Sequence, residues 1–142
     1  MAGLKVGTVP ARRDLSINGA LGPFTVAIES AMVERFGRLI GDTNPAHLDA
    51  AYARSKGFPG AIAHSAIGTS AILRMLARAL GAWPVPGDEI EIAYIAPVLV
   101  GDTLTARGLC TVEAVDAWQA ECWCENQDGK KVLTASVRIG RN

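Results

Sequence analysis

The chain has two histidines, His47 and His64, and both stand in one stretch, seventeen positions apart. Leading into the first is Gly41-Asp42-Thr43-Asn44-Pro45-Ala46-His47. The Asn-Pro step keeps Asn44 out of the helical region and makes a tight corner, across which Asp42 and His47 can approach. A carboxylate and an imidazole meeting at one point can share a water, take a proton from it and return one elsewhere, which is general acid–base work. The same residues also suit a plain turn, with Asp42 and Asn44 as turn-formers and His47 as a satisfied surface histidine. On spacing alone the turn is the simpler account.

Other chemistries lack their usual footing. There is no Gly-x-Gly-x-x-Gly, no phosphate loop ending in Gly-Lys-Ser/Thr, no Gly-x-Ser-x-Gly elbow and no His-Glu-x-x-His. Three cysteines, an odd number, argue against a disulfide framework. Cys122 and Cys124 flank Trp123, so a strand puts them on one face as packing groups, and no metal site is expected.

The elements that must position Asp42 and His47 can be read on either side of them. Ser30 can cap a helix over Ala31–Ile40, with Met32, Val33, Phe36, Leu39 and Ile40 at helical spacing and Gly41 as the stop. Asp49 can cap a shorter helix from Ala50 to Lys56 that ends at Gly57. From His64 to Leu80 runs a long helix whose polar side chains past the first turns, Ser70, Arg74 and Arg78, form one stripe. Apolar around most of its circumference, it must be wrapped by other structure.

That wrapping is read in residues 85–142, which are almost wholly strand-like, whereas 1–83 read as helical and irregular. Ile90, Ile92 and Tyr94 alternate with Glu89, Glu91 and Ala93; Pro97 suits a bulge or edge; Gly101-Asp102 turns into a strand from Thr103 to Val115. Asp128-Gly129 reads as a two-residue hairpin turn. Pairing Gln127 with Lys130 then sets Cys124 against Leu133, Cys122 against Ala135, Ala120 against Val137 and Trp118 against Ile139 on one apolar face. Trp123 with Thr134, Glu121 with Ser136 and Gln119 with Arg138 share the other, and a one-residue slip would undo the sorting. The result is an α+β domain, an antiparallel sheet curled around a buried helix. Its exposed sheet edge predicts dimerisation.

Composition narrows the partners. The chain has 142 residues, 49% apolar, with 14 Lys+Arg balanced by 14 Asp+Glu, so one domain over 1–142 is expected. Nucleic acid and anionic membrane both call for a basic excess that is absent. The opening Met-Ala-Gly-Leu-Lys-Val-Gly lacks an apolar signal stretch, and no window approaches a membrane span, so a cytoplasmic location is expected.

A wider pattern gives the corner more meaning. Gly41-Asp42-Thr43-Asn44-Pro45-Ala46-His47-Leu48-Asp49, with Ala53, Gly57-Phe58 and Ile62-Ala63-His64, resembles the MaoC-like, (R)-specific enoyl-CoA hydratases and dehydratases. Pro97-Val98-Leu99-Val100-Gly101-Asp102-Thr103-Leu104 and Asn126-Gln127-Asp128-Gly129 extend the likeness downstream, over roughly residues 25–139. The resemblance implies a hot-dog fold, a curved antiparallel sheet around a long central helix. It implies Asp42 and His47 as the catalytic pair, holding a water against the double bond of a trans-2-enoyl thioester. Addition to one face yields the (R)-3-hydroxyacyl thioester, and the reverse is dehydration. It further implies acyl-CoA or acyl-carrier-protein thioesters as substrates, no cofactor, and a homodimer or dimer of dimers. Asn44 is expected at the substrate site, bracing the loop.

In the family a backbone N–H at the start of the central helix holds the thioester carbonyl, with Gly after the histidine; here Ser65 takes that place, which predicts an altered substrate shape. His64 is either a support for the pair or a satisfied structural histidine. Arg74, Arg78, Lys130 and Lys131 are candidates for coenzyme A phosphates, although solvated charge accounts for each.

Two other readings remain. One is a hot-dog acyl thioesterase; no Asp or Glu stands between His64 and Leu80, so it would have to work from Asp42. The fatty-acid dehydratase type is matched only superficially, by Gly57-Phe58-Pro59-Gly60 without its histidine or helix acid. The other is a non-catalytic acyl-thioester-binding subunit, in which Asp42 or His47 should be lost; both are present.

Overall fold

In the computed structural model, which describes residues 12–141, every strand pairing is antiparallel. In chain order the elements are β1 (Ala20–Ala27), α1 (Ser30–Ile40), a 3-10 turn (Pro45–His47), α2 (Ala50–Ser55) and α3 (Ser65–Leu80). There follow β2 (Glu89–Tyr94), β3 (Thr103–Glu113), β4 (Ala117–Glu125) and β5 (Lys131–Gly140). The sheet order is β1-β3-β4-β5-β2, and α3 lies across β1, β3 and β4. This is the hot-dog arrangement that the sequence predicts.

The β4–β5 register is the expected one: Cys124, Cys122, Ala120 and Trp118 stand against Leu133, Ala135, Val137 and Ile139, all buried. Burial pushes the Cys122 and Cys124 thiols up to about 12, so both are neutral packing groups at neutral pH. The turn itself differs. Asn126 closes on Lys130, and its side chain accepts the N–H groups of Asp128 and Lys130 at 3.0 and 3.1 Å. Gly129 takes φ +74°, and the register shifts between Cys124 and Glu125. A three-residue loop with a bulge thus reaches the register assigned to a two-residue one.

Three further expectations are corrected. The first half contains β1, whose Gly22-Pro23 step interrupts the alternation and shifts its register on β3 between Leu21 and Phe24. Glu29, not Ser30, occupies the N-cap of α1, and no side chain caps there. On α3, Ile67, Gly68, Ala71, Ile72, Met75, Leu76 and Leu80 are buried, while Ser65, Ala66, Ser70, Arg74 and Arg78 are exposed. The sheet therefore covers one flank of this helix. Close approach is set at Gly68, where a Cβ would lie 2.6 Å from Leu133 Cδ2. Among the described residues no helix is long and apolar enough to cross a membrane.

Candidate active site

The loop after α1 is shaped by its first two backbone donors. Gly41, at φ +77°, ends the helix as expected, and the N–H groups of Gly41 and Asp42 both turn back to Gly37 O. Asn44 Oδ1 then accepts the Ala46 N–H at 3.0 Å and caps the 3-10 turn. Asp49 caps α2 through Tyr52 N–H, and Gly57 follows its end at φ +91°.

A second segment clamps this loop from below. Ala63 N–H donates to Val98 O and Val100 N–H to Ala61 O, which ties residues 61–63 to the connection between β2 and β3; Pro97 lies in that connection, outside the strands. The buried Asp102 carboxylate holds the connection by accepting Leu99 N–H and the Gln127 side-chain amide, at 2.8 and 2.9 Å. Ile62 in turn donates its N–H to Ala46 O and accepts the His47 Nδ1–H at 2.6 Å.

With Nδ1 so engaged, His47 presents Nε2 to Asp42 Oδ2 at 3.4 Å. Asp42 Oδ1 accepts the Asn44 N–H at 3.3 Å. That N–H, then the facing His47 and His64, hold the Asp42 carboxyl below its ordinary value, so it is ionised at neutral pH. The Asp42 side chain is half exposed and His47 largely buried; the two line a cavity of about 180 Å³ with Val33, Gly37, Leu48 and His64.

His64 adds a third ring. It stacks on His47 with centroids 3.7 Å apart, and its Nε2–H donates to Asp42 O at 3.0 Å. Asp42, His47 and His64 could be read as a three-ligand metal set. Against that, His64 Nε2 is already bonded to a carbonyl, and ligation would leave a buried Nδ1–H with no acceptor. The arrangement fits an acid–base pair better.

Ser65 is the first residue of α3 and is exposed. It lines a neighbouring groove of about 380 Å³ with Phe58, Ile62, Tyr94, Ile95 and Val98, not the cavity of Asp42 and His47. Of the four basic candidates, Arg74 and Arg78 lie over the Phe24 ring and Lys131 over Trp123. The role of Gly37 was not foreseen: a Cβ there would lie 2.5 Å from Asp42 O and 3.2 Å from the His64 ring. A glycine inside a helical pattern, one turn before the loop, was its only trace in the sequence.

Comparison with known proteins yields consistent relatives. Residues 12–136 match the family described as MaoC like domain. An (R)-specific enoyl-CoA hydratase of Rhodospirillum rubrum is 35% identical over 82 residues, 56% of this chain and 55% of the relative, so the match spans about half of that protein. The unliganded R-hydratase PhaJ1 of Pseudomonas aeruginosa is similar in structure, with TM-score 0.76 and 26% identity over 90% of this chain and 83% of that one. An (R)-hydratase of A. caviae involved in PHA biosynthesis gives TM-score 0.75 and 25% identity, covering 89% and 98%.

Proposed function

Because the chain belongs to the MaoC-like domain family, we propose that it is an (R)-specific hydratase of trans-2-enoyl thioesters, or the dehydratase of the reverse reaction. The observation that carries this reading is the facing of Asp42 Oδ2 and His47 Nε2 at 3.4 Å, both acceptors at the rim of one cavity. One water about 2.8 Å from each can donate one hydrogen to either, leaving an oxygen lone pair for C3 of the substrate. As the O–C3 bond forms, the C2=C3 π electrons move into the thioester as an enolate. The pair takes one water proton and returns it to C2, so the water is added and the pair restored. The Ser65 N–H, at the α3 terminus, is assigned to the thioester oxygen. The carrier is coenzyme A or an acyl-carrier protein. The working form is a homodimer, with β2 and β1 as the free sheet edges.

Crotonyl-CoA tests this directly. Loss of the enoyl-thioester absorbance, with the thioester intact and an (R)-3-hydroxyacyl product read by an (R)-specific dehydrogenase, is the expected result. Release of free thiol would replace the reading with a thioesterase. No change with short, medium or branched substrates would leave the non-catalytic subunit.

Gly37→Ala gives a second expected outcome. Alanine favours the helix by about 1 kcal/mol, yet its Cβ would press on Asp42 O. Turnover should fall roughly tenfold or more while the protein stays folded, as kcat measured beside Tm will check.

A further inference from the structure

Resting on the hydratase reading above, we infer that His64 is the positioning residue of the site, fixing Asp42 and His47 together and tying both to the start of α3. Its side chain is 4% exposed, with Nε2 bonded to Asp42 O and Nδ1 buried, so it offers no free nitrogen for the reaction itself. The bond from Nε2–H to Asp42 O sets the tautomer and leaves Nδ1 an acceptor, buried and without a partner. An unpaired buried acceptor is a net cost to folding. Leucine or phenylalanine would fill this space with no orphaned atom, so filling it does not explain the imidazole.

What the imidazole does that they cannot is hold a carbonyl. It fixes the main chain of Asp42 through that bond, and its face supports the His47 ring at 3.7 Å and 23° between planes. Phe36 closes its other side edge-on at 5.1 Å, and Gly37 leaves room for the ring on α1. His64 is also the N-cap of α3 but makes no side-chain cap bond, so the helix start does not depend on its imidazole. The ring therefore sets the distance from the acid–base pair to the first N–H groups of α3. Water attack and charge stabilisation must meet on one substrate across that distance.

The test compares wild type, His64→Ala and His64→Gln in kcat, KM, Tm and amide exchange. A displacement of the pair by about 1 Å predicts a fall in kcat on the order of 10²-fold for His64→Ala, with KM within about threefold. Gln can still donate to Asp42 O, so His64→Gln should recover about tenfold of that loss. A kcat for His64→Ala within about threefold of wild type would overturn the inference. So would equal losses in the two variants at equal Tm. If wild type turns over no enoyl thioester, the hydratase reading fails by itself, and exchange decides the positioning. Faster exchange at Asn44, Ala46 and His47 in His64→Ala, with α3 protection unchanged, supports it; unchanged loop exchange overturns it.

Discussion

Replacing Asp42 by Asn is expected to lower turnover by about 10²–10⁴-fold and leave the protein folded. The amide keeps the shape, and its oxygen can still accept the Asn44 N–H. What it loses is the anionic oxygen facing His47 at 3.4 Å, the acceptor for the water proton. Half exposed, Asp42 is not a core residue, so Tm should hardly move while kcat collapses. The pH profile adds an independent check. The Asn44 N–H, with His47 and His64, holds the carboxyl below its ordinary value of 3.8. Any acid limb that Asp42 itself sets in the kcat profile therefore lies below that value. An acid limb set by Asp42 above the ordinary carboxylate range, or turnover that persists in Asp42→Asn, would remove Asp42 from the mechanism.

Asp88→Ala should act on stability alone, by about 3–5 kcal/mol. The Arg12–Asp88 pair is buried, each side chain 1% exposed, and joined through two guanidinium nitrogens. Asp88 also accepts the N–H groups of Val85 and Gly140, while Arg12 donates to Gly140 O. It thereby fastens the segment before β1, the loop before β2 and the end of β5. Alanine would leave a buried guanidinium without its counter-charge, and a Tm fall of roughly 10–15 °C is expected.

Burial raises the Asp88 carboxyl, but Arg12 and the two N–H groups outweigh it and hold the group low. A carboxyl lower in the folded than in the unfolded chain stabilises fully above its unfolded value, near 3.8. That stability drains as pH falls from there through the folded value. Wild-type urea midpoints should drop across this window more steeply than those of Asp88→Ala. Parallel curves would show that the pair's ionisation is not linked to folding.

Much of this was legible in the sequence because it depends on local periodicity. The β4–β5 register follows from period-two sorting around Cys122 and Cys124, and the stops at Gly41 and Gly57 from positive φ. The facing of Asp42 and His47 follows from the Asn-Pro corner. What was not legible depends on contacts distant in the chain. β1 is hidden by its Gly-Pro break and recognisable only against β3. The half-covered α3 depends on which sheet face reaches it, and composition says nothing of that. The sequence leaves His64 between two roles because its partner is a main-chain carbonyl twenty-two residues away. The hairpin loop differs for a local reason instead: Asn126, outside the Asp-Gly pair, accepts the Asp128 and Lys130 N–H groups and lengthens the loop.

His47 is anchored to Ile62 O and His64 to Asp42 O, in both cases a peptide oxygen and not another side chain. Peptide oxygens survive almost any replacement of the residue that bears them. The exposed positions of residues 48–61, Leu48 and Tyr52 among them, can thus be diversified, provided Asp49 and Gly57 keep the backbone path and the buried Ala53 is retained. A library confined to that stretch would vary the surroundings of the site around a constant reaction centre.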